Sequence, residues 1–337
     1  MNPSIKITKS NKILYLIFII NIFIMSSCSL APQNSETIIS GIYFDTFVSI
    51  TLYDNENDNV VQEIKSTLTY YDELLSESNL NSDIYKINNN INNIINPETQ
   101  KLILDSLEFA KLSDGKLDPT IEGVSALYNF DTSEHDFPSK DSISNALLSV
   151  DYKSISIANN TLIKNNPDTK ICLGFIAKGY ISDKLKEILA QNNIKGGLIN
   201  LGGNILTYGE KNDKSDFIIG IEKPFREGES AVCLKIAGDT TVVTSGVYER
   251  YFTNNNKTYS HIINTSTGYP ISNNLYSVSV IGPSSETADA LSTLLLIEGY
   301  NDSEYILNNY PEYQAIYVFE DYSIKYSKNF NKDIIFY

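Results

Sequence analysis

The chain has 337 residues and a formal net charge of -15, with three cysteines, two histidines and no tryptophan. A negative field of this size repels polyanions, so it excludes nucleic acid and anionic lipid as favoured partners. With no Cys-x-x-Cys pair and only two histidines, the composition also argues against a zinc site built from cysteine and histidine.

The first 27 residues have the order of a secretory signal. Lys6, Lys9 and Lys12 make the start positive, residues 13–25 are almost purely apolar, and small residues precede Cys28. The apolar run is shorter than the roughly 20 residues that a membrane-spanning helix needs, although an uncleaved N-terminal anchor is the alternative. We therefore predict a lipoprotein signal peptide over residues 1–27, with lipid attached to Cys28.

The predicted mature chain is a tether followed by one domain. Removing the signal takes away three lysines and no acids, which leaves a net charge of about -18. We predict a lipidated cysteine and tether over residues 28–40, and a domain over residues 41–337 that lies outside the cytoplasm, anchored to the bacterial cell membrane. Cys172 and Cys233 are then either free thiols or a disulfide, which their spacing does not decide.

Apolar spacing along the domain predicts a mixture of helices and strands. Helical spacing occurs over residues 60–75, 98–112, 176–191 and 285–297. Strand patterns occur over residues 42–53, 197–206, 217–221, 232–236 and 276–281, and hairpin patterns over 155–164 and 313–326. Because several strands follow one another without a helix between them, we predict an α+β fold with largely antiparallel sheets and flanking helices.

Three short segments concentrate glycine and polar residues beside these elements. In residues 113–120, Asp118 precedes a proline, which favours an extended backbone from which its carboxylate can face a ligand. An Asx turn that only organises this loop is the alternative. Residues 173–180 hold two glycines around Lys178 at a predicted helix start, where backbone N–H groups and a cation suit a phosphate. Paired glycines in residues 200–204 indicate either the close approach of another group or a simple bulge.

The richest segment lies in the last third of the chain. Residues 244–246 and 260–263 follow strand patterns and carry hydroxyl groups and a histidine. Asp289 and Thr293 are four residues apart in a predicted helix, so both side-chain oxygens lie on one helix face. One carboxylate and one hydroxyl form a hard, oxygen-only half-shell that suits Mg²⁺. A helix cap by Asp289 is the alternative.

Taken together and in this order, the segments resemble the FAD:protein FMN transferase (ApbE) family, from about Gly41 to the C-terminus. The matching pieces are Asp114-Gly115 with Asp118-Pro119-Thr120, Ile176-Ala177-Lys178-Gly179-Tyr180 with Asp183, Asn200-Leu201-Gly202-Gly203, Thr244-Ser245-Gly246, Ser260-His261-Ile262-Ile263, Thr267-Gly268, and Ala288-Asp289-Ala290 with Thr293. Any one of these motifs is a weak signal, whereas the ordered set is specific.

The resemblance implies an ApbE-like fold and a transfer of FMN from FAD onto a serine or threonine hydroxyl of an exported target protein, with release of AMP. It implies that Mg²⁺ binds Asp289, Thr293 and the backbone carbonyl of Phe175. It also implies that FAD lies against the loop of Asp118.

The same resemblance assigns the remaining roles at the site. Lys178 and the strand around Ile263 are expected to contact FAD. His261 is expected to be the base that takes the proton of the acceptor hydroxyl, since a hydroxyl is a poor nucleophile near neutral pH.

Several positions depart from the family pattern. The family usually has Asp at Cys172, a small residue at Phe175, Met at Phe44 and a flavin-contacting aromatic at Ser78, and Asn264-Thr265-Ser266 replaces the frequent Asp-Pro-Arg. The lost carboxylate would weaken the binding of FAD or of the metal, and the added phenyl ring would stand beside the pyrophosphate. A non-catalytic flavin-binding lipoprotein is the alternative function that Cys172 and Phe175 suggest. A magnesium-dependent FAD pyrophosphatase is a second alternative, because the acceptor is another molecule and the sequence does not separate the two reactions.

Overall fold

The computed structural model describes residues 36–54, 57–130, 137–254 and 257–336, within one compact unit that begins at Glu36. The predicted signal peptide, Cys28, the first part of the tether and His135 lie outside the described residues. In the described ranges, no helix has both the length and the apolar character that crossing a membrane requires.

The described residues contain eight α-helices and fifteen strands. The helices are α1 (Asp58–Leu75), α2 (Asp83–Asn88), α3 (Pro97–Leu112), α4 (Glu122–Ser125), α5 (Lys140–Leu147), α6 (Ala177–Gln191), α7 (Ser285–Glu298) and α8 (Glu304–Leu307). The strands are β1 (Thr37–Tyr43), β2 (Thr46–Leu52), β3 (Ile155–Ala158), β4 (Thr161–Lys164), β5 (Gly196–Leu201), β6 (Asn204–Gly209), β7 (Phe217–Glu222), β8 (Ser230–Ile236), β9 (Thr240–Gly246), β10 (Tyr251–Asn254), β11 (Lys257–Ser260), β12 (Leu275–Gly282), β13 (Gln314–Phe319), β14 (Ile324–Tyr326) and β15 (Ile335–Phe336).

An eight-stranded sheet in the order β1-β2-β5-β6-β9-β12-β13-β14 forms the frame, and every neighbouring pair in it is antiparallel. A three-stranded sheet, β15-β8-β7, and the hairpins β3–β4 and β10–β11 accompany it. The mixture of helices with antiparallel sheets confirms the predicted α+β fold class.

The two faces of the main sheet are buried by different partners. Val243 and Val280 point into a core shared with α7 and α8, whereas their chain neighbours Val242 and Ile281 point into a core shared with β7 and β8. Toward the β2 end, Ile50 points into a core shared with α1 and α6. This two-residue alternation is what a sheet covered on both faces requires.

Two predicted strands are wrong, because each is a hairpin. The pattern over residues 42–53 belongs to β1 and β2, which turn at Phe44-Asp45, and the pattern over residues 197–206 belongs to β5 and β6, which turn at Gly202-Gly203. All four turn residues have positive φ angles, between 54° and 89°. Tight two-residue turns of this kind match the twist of the flanking strands, and Phe44 is a bulky residue that rarely adopts this backbone.

Helix starts follow the capping residues in the sequence. The side chains of Asn57, Asn96 and Ser284 accept backbone N–H groups in the first turns of α1, α3 and α7. The hairpin predicted over residues 155–164 is confirmed; it turns at Asn159-Asn160, and both asparagines have positive φ. The sequence patterns did not predict α2 or α5.

Cys172 and Cys233 are both free cysteines, so the disulfide alternative is wrong.

Asp105 of α3 and Glu286 of α7 face each other beside Lys101, where the two helices meet. Burial and the Asp105 carboxyl raise the pKa of Glu286 from 4.5 to about 7, against the opposing effect of Lys101. A carboxyl with a raised pKa in the folded state favours its neutral form, so it lowers stability once it ionises.

We therefore expect Glu286 to contribute a decrease in the free energy of unfolding as the pH rises from about 4.5 to about 7. Glu286→Gln is neutral at every pH, so it is expected to make the decrease smaller and to be more stable than the parent chain above pH 7, by about 1 kcal/mol. Urea unfolding at a series of pH values measures both effects. Glu108→Gln, at an exposed position of α3, is the control, and an unchanged pH slope in Glu286→Gln would contradict the assignment.

Candidate functional site

The site is organised where the start of α6 crosses the start of α7. Gly179 is in the first turn of α6, and a Cβ atom at this position would lie 2.3 Å from the Ser285 carbonyl oxygen of α7. Only glycine permits this close approach. The start of α6 has no side-chain cap; instead, the Gly179 N–H donates to Asp289 Oδ2 of α7 over 2.8 Å.

Asp289 is a buried carboxylate whose neighbours favour its charged form. The residue is only 5% exposed, and burial raises its pKa to about 6. Lys178, the Gly179 N–H group and the side-chain amide of Asn204 oppose that rise. The Asn204 Nδ2 group is buried and makes no hydrogen bond of good geometry, so its contact with Asp289 is electrostatic. A buried carboxylate with one nearby cation suits a site that receives further positive charge.

The hydroxyl groups of Ser292 and Thr293 on α7 donate to the Asp289 backbone carbonyl over 2.9 and 3.4 Å. Thr293, one turn further along, places Oγ1 2.9 Å from Ser245 Oγ of β9, and Ser245 Oγ also lies 2.7 Å from Ser292 Oγ. The predicted pair of Asp289 and Thr293 therefore shares a helix face, as its spacing indicated. Ser245 belongs to a motif that the sequence singled out without giving this residue a role.

The glycine turn between β5 and β6 lies against Lys178. The Lys178 Nζ group donates to the Gly202 carbonyl over 3.4 Å. A Cβ atom on Gly202 would meet the Thr46 side chain at 2.4 Å, so this turn also contacts the turn between β1 and β2. The glycine pair is therefore a hairpin turn in close contact with another segment, and not a bulge.

Sequence reasoning missed Glu249. Its carboxyl interacts with two nearby cations, Lys178 and Arg250, which both lower its pKa. Burial raises the pKa of Glu249 to about 7; Lys178 lowers it and Asp289 raises it further. The residue is nevertheless exposed to solvent. The only sequence signal was a carboxylate between two matched motifs.

His261 follows β11, opposite the residue that precedes β10. Its backbone N–H donates to the Arg250 carbonyl over 3.0 Å, and its Nδ1 lies 3.2 Å from the same oxygen. Because a carbonyl only accepts, Nδ1 carries the proton in this contact, which leaves the lone pair of a neutral ring on Nε2. Arg250 follows Glu249 in the chain, and the Glu249 carboxyl interacts with Lys178 and Asp289.

The Asp118 carboxylate is hydrogen-bonded to its own loop and to the backbone at Tyr152. Asp118 is buried, and its carboxylate accepts bonds from the Thr120 N–H and hydroxyl at 2.8 and 2.6 Å and from the Tyr152 N–H at 2.9 Å. Burial raises the pKa of this carboxyl, and these three bonds oppose the rise. The carboxylate thus organises its own loop, as in the Asx-turn alternative. The predicted contact with FAD stays a prediction.

Cys172 adjoins that loop, since its N–H donates to the Pro119 carbonyl over 2.8 Å. Its thiol lies near the carboxylates of Glu77 and Glu122, and the three potential ligand atoms are within 4.8 Å of one another. Burial and both carboxylates raise the pKa of the thiol well above its usual range. An aspartate at position 172 would add a third negative charge here, so the neutral thiol suits these neighbours.

The remaining predicted site residues differ in their burial and in the cores that they contact. Phe175 is half-buried and packs against the cores beneath both α6 and α7. Phe44 is half-buried and donates its N–H to Asp72 Oδ1 over 2.7 Å. Ser78 is exposed, whereas Ile263 is buried in a separate cluster with α4, α5 and β10. The predicted metal-binding role of the Phe175 carbonyl and the predicted flavin contacts of Phe44, Ser78 and Ile263 stay predictions.

The donor set fits a hard divalent cation. Asp289 supplies a buried carboxylate oxygen, Thr293 and Ser245 supply hydroxyl oxygens, and no sulfur or imidazole atom belongs to this group of the described residues. Mg²⁺ prefers oxygen ligands and completes its shell with water and substrate phosphates. The N-terminus of α6 and Lys178 lie at the same place, where an anion is favoured.

Comparisons with known proteins identify the family of the chain. Residues 44–317 match the model of the ApbE family. The FAD:protein FMN transferase of Treponema pallidum is 30% identical over 249 residues, which is 69% of this chain and 69% of that protein. The FAD:protein FMN transferase of Haemophilus influenzae is 30% identical over 288 residues, which is 82% of each.

Solved structures have the same fold. The ApbE protein of Thermotoga maritima has a TM-score of 0.79 at 28% identity and covers 87% of this chain and 97% of its own. The Pseudomonas stutzeri flavinyl transferase ApbE, in its apo form, has a TM-score of 0.79 at 23% identity, with 90% and 98% covered, which shows the likeness of fold.

The close crossing of α6 and α7 predicts that Gly179→Ala is destabilising. Alanine in a helix normally stabilises by about 1 kcal/mol relative to glycine, but here the added methyl group meets backbone atoms at 2.3 to 2.7 Å. We expect a net loss of about 2 kcal/mol, measured by urea unfolding, and weaker metal binding because Asp289 shifts.

Gly174→Ala is the matched control for that substitution. Its Cβ atom would lie 3.5 Å from Cys172 Sγ, an ordinary contact. A Gly179→Ala protein as stable as the parent chain would show that the two helices separate easily, contrary to the rigid contact described above.

Proposed function

The chain belongs to the ApbE family, and we propose that it is a Mg²⁺-dependent enzyme that transfers FMN from FAD to a serine or threonine hydroxyl of an exported protein, releasing AMP. Flavin transfer is the activity named for the matched relatives. The hydroxyl acceptor, the released AMP and the dependence on Mg²⁺ are the further parts of the proposal.

One observation carries the assignment of the reaction centre. Asp289, Lys178 and the first turn of α6 meet at a single point, although Lys178 and Asp289 are more than 100 positions apart in the chain. Phosphoryl-group transfer depends on positioning and charge neutralisation. The site offers both, because the carboxylate can bind a cation and the lysine and the helix N-terminus can bind phosphate.

Each group has a role in the proposed reaction. The acceptor hydroxyl oxygen forms a bond to the FMN phosphorus, the bond from that phosphorus to the bridging oxygen breaks, and AMP leaves with the bond's electron pair. His261 Nε2 takes the hydroxyl proton. Lys178 and the N-terminus of α6 hold the pyrophosphate in place.

Asp289 and Thr293, with the Phe175 carbonyl, would hold the Mg²⁺ ion. Bound there, the ion would neutralise negative charge on the pyrophosphate. The half-buried side chain of Phe175 does not bear on this role, because the ligand is its backbone oxygen.

We further propose that the enzyme acts outside the cytoplasm, attached to the cell membrane through lipid on Cys28. The order of charged, apolar and small residues before Cys28 supports this location. An exported acceptor protein is then the partner, and the acidic surface of the chain disfavours nucleic acid.

The function is tested by incubating the purified enzyme with FAD and Mg²⁺, with and without a candidate acceptor protein. AMP release that needs both the acceptor and Mg²⁺, with FMN left covalently on the acceptor, is the expected result. Metal-dependent AMP release without an acceptor would indicate an FAD pyrophosphatase instead. FAD binding with no AMP under either condition would indicate a flavin-binding lipoprotein without catalytic activity.

Asp289→Asn is expected to slow transfer by about 100-fold or more, because a metal contributes several kcal/mol and each 1.4 kcal/mol is tenfold. Mn²⁺ binding, followed by electron paramagnetic resonance, should weaken in parallel. Asp216→Asn removes a surface carboxylate that pairs with Lys235 and is the control. Full activity and unchanged metal binding in Asp289→Asn would refute the metal site.

His261→Gln removes the proposed base and is expected to slow transfer by about 10²–10⁴-fold. FAD binding, measured by fluorescence quenching, should change little, since the base acts on the acceptor. His135→Gln changes the chain's other histidine and serves as the control; equal rates in both variants would exclude His261 as the base.

A further inference from the structure

The hairpin formed by β1 and β2 has one buried and one exposed face. Ile39, Val48 and Ile50 point into the core under α1 and α6. On the opposite face Ile38, Ile42 and Phe47 are 66%, 71% and 60% exposed.

These three apolar side chains lie on one face of the hairpin, with the exposed Ser40 between Ile38 and Ile42. Residues two and four apart in a strand share a face, which places Ile38 and Ile42 together on β1. Ile42 is the direct cross-strand partner of Phe47 on β2. Over the central strands the same side of the main sheet is covered by β7 and β8, but among the described residues nothing covers it at this end. An apolar patch exposed in this way indicates a contact surface.

The chain that leads into β1 indicates what this surface contacts. Thr37, the first residue of β1, is nine residues after Cys28, so a fully extended segment spans about 30 Å at most. A lipid on Cys28 would therefore hold the hairpin next to the bilayer. A tether of this length limits the distance to the membrane but leaves the orientation of the domain open.

The charges near the patch favour insertion over electrostatic attraction. Residues 36–53 contain two acids, Glu36 and Asp45, and no lysine or arginine. A basic patch is what binds anionic lipid, so an electrostatic contact is excluded here. Apolar side chains of this kind instead lie at the boundary of headgroups and acyl chains.

We propose that the surface of Ile38, Ile42 and Phe47 inserts into the bilayer that holds the lipid anchor and sets the orientation of the domain. This proposal rests on the lipid anchor proposed above. The hairpin turn at Phe44-Asp45 adjoins the glycine turn of the candidate site through Thr46, so the same contact would fix the height of that site above the membrane.

The absence of tryptophan from the chain allows a direct test. The full lipidated chain carrying Phe47→Trp is reconstituted into vesicles of phosphatidylcholine, with bromine at a shallow acyl position in a second preparation. We expect a blue-shifted emission that the bromine quenches and that added salt leaves unchanged. Leu148→Trp, at a position 80% exposed next to α5, should show neither effect. Ile38→Ser with Ile42→Ser, added to Phe47→Trp, should reduce the quenching.

Three outcomes would overturn the proposal in distinguishable ways. If the protein floats with the vesicles and Phe47→Trp keeps a water-exposed, unquenched emission, the anchor stands and the hairpin contact is wrong. A blue shift that bromine does not quench means that another copy or another segment of this chain covers the surface. If the protein does not float, the anchor is wrong and this proposal falls with it. FMN transfer measured on the same samples in detergent reports separately on the proposed enzyme activity.

Discussion

The contact between Gly179 and Asp289 is the constraint on which the site depends. Two helices that meet over a glycine bring backbone within van der Waals distance of backbone, so a side chain of α7 can reach the first turn of α6. The Asp289 carboxylate then does two things at once. It accepts the Gly179 N–H group of α6, whose own N-cap residue provides no side-chain bond, and it remains the buried negative charge at the place where a cation would bind. The predicted helix cap by Asp289 is wrong for its own helix, because Ser284 caps α7.

The antiparallel sheet brings distant motifs to that contact. Its order places β9 between β6 and β12, so the end of β9 with Ser245 and the turn before β6 with Gly202 lie near one another. Loops from other parts of the chain are joined to this frame by single bonds, such as Thr265 Oγ1 to the Gly115 carbonyl over 2.7 Å. Because the motifs lie on turns and loops that the sheet positions, their conformations are set by neighbours distant in the sequence.

The sequence predicted what is encoded locally and missed what is not. Asn159-Asn160 was recognisable as a turn, because asparagine tolerates positive φ, whereas Phe44-Asp45 adopts the same backbone with an aromatic residue that gives no such signal. The turn at Gly202-Gly203 was hidden because apolar alternation continues on both sides of it. At the site, the helical spacing of Asp289 and Thr293 was sufficient to place them on one face. Glu249 and Asn204 enter through tertiary contacts alone, so no local pattern marks their roles.

The departures from the family pattern are explained by the neighbours of each residue. Cys172 stands beside Glu77 and Glu122, where a carboxylate would meet two others, so a neutral thiol relieves repulsion. Phe175 packs where two cores meet, so its ring contributes apolar contacts that a small residue lacks. Neither substitution removes Asp289, Thr293, Lys178 or the backbone carbonyl of Phe175. Both changes therefore alter the surroundings of the proposed reaction centre and keep its oxygen ligands and its cation, which is why the transferase is favoured over a protein that only binds flavin.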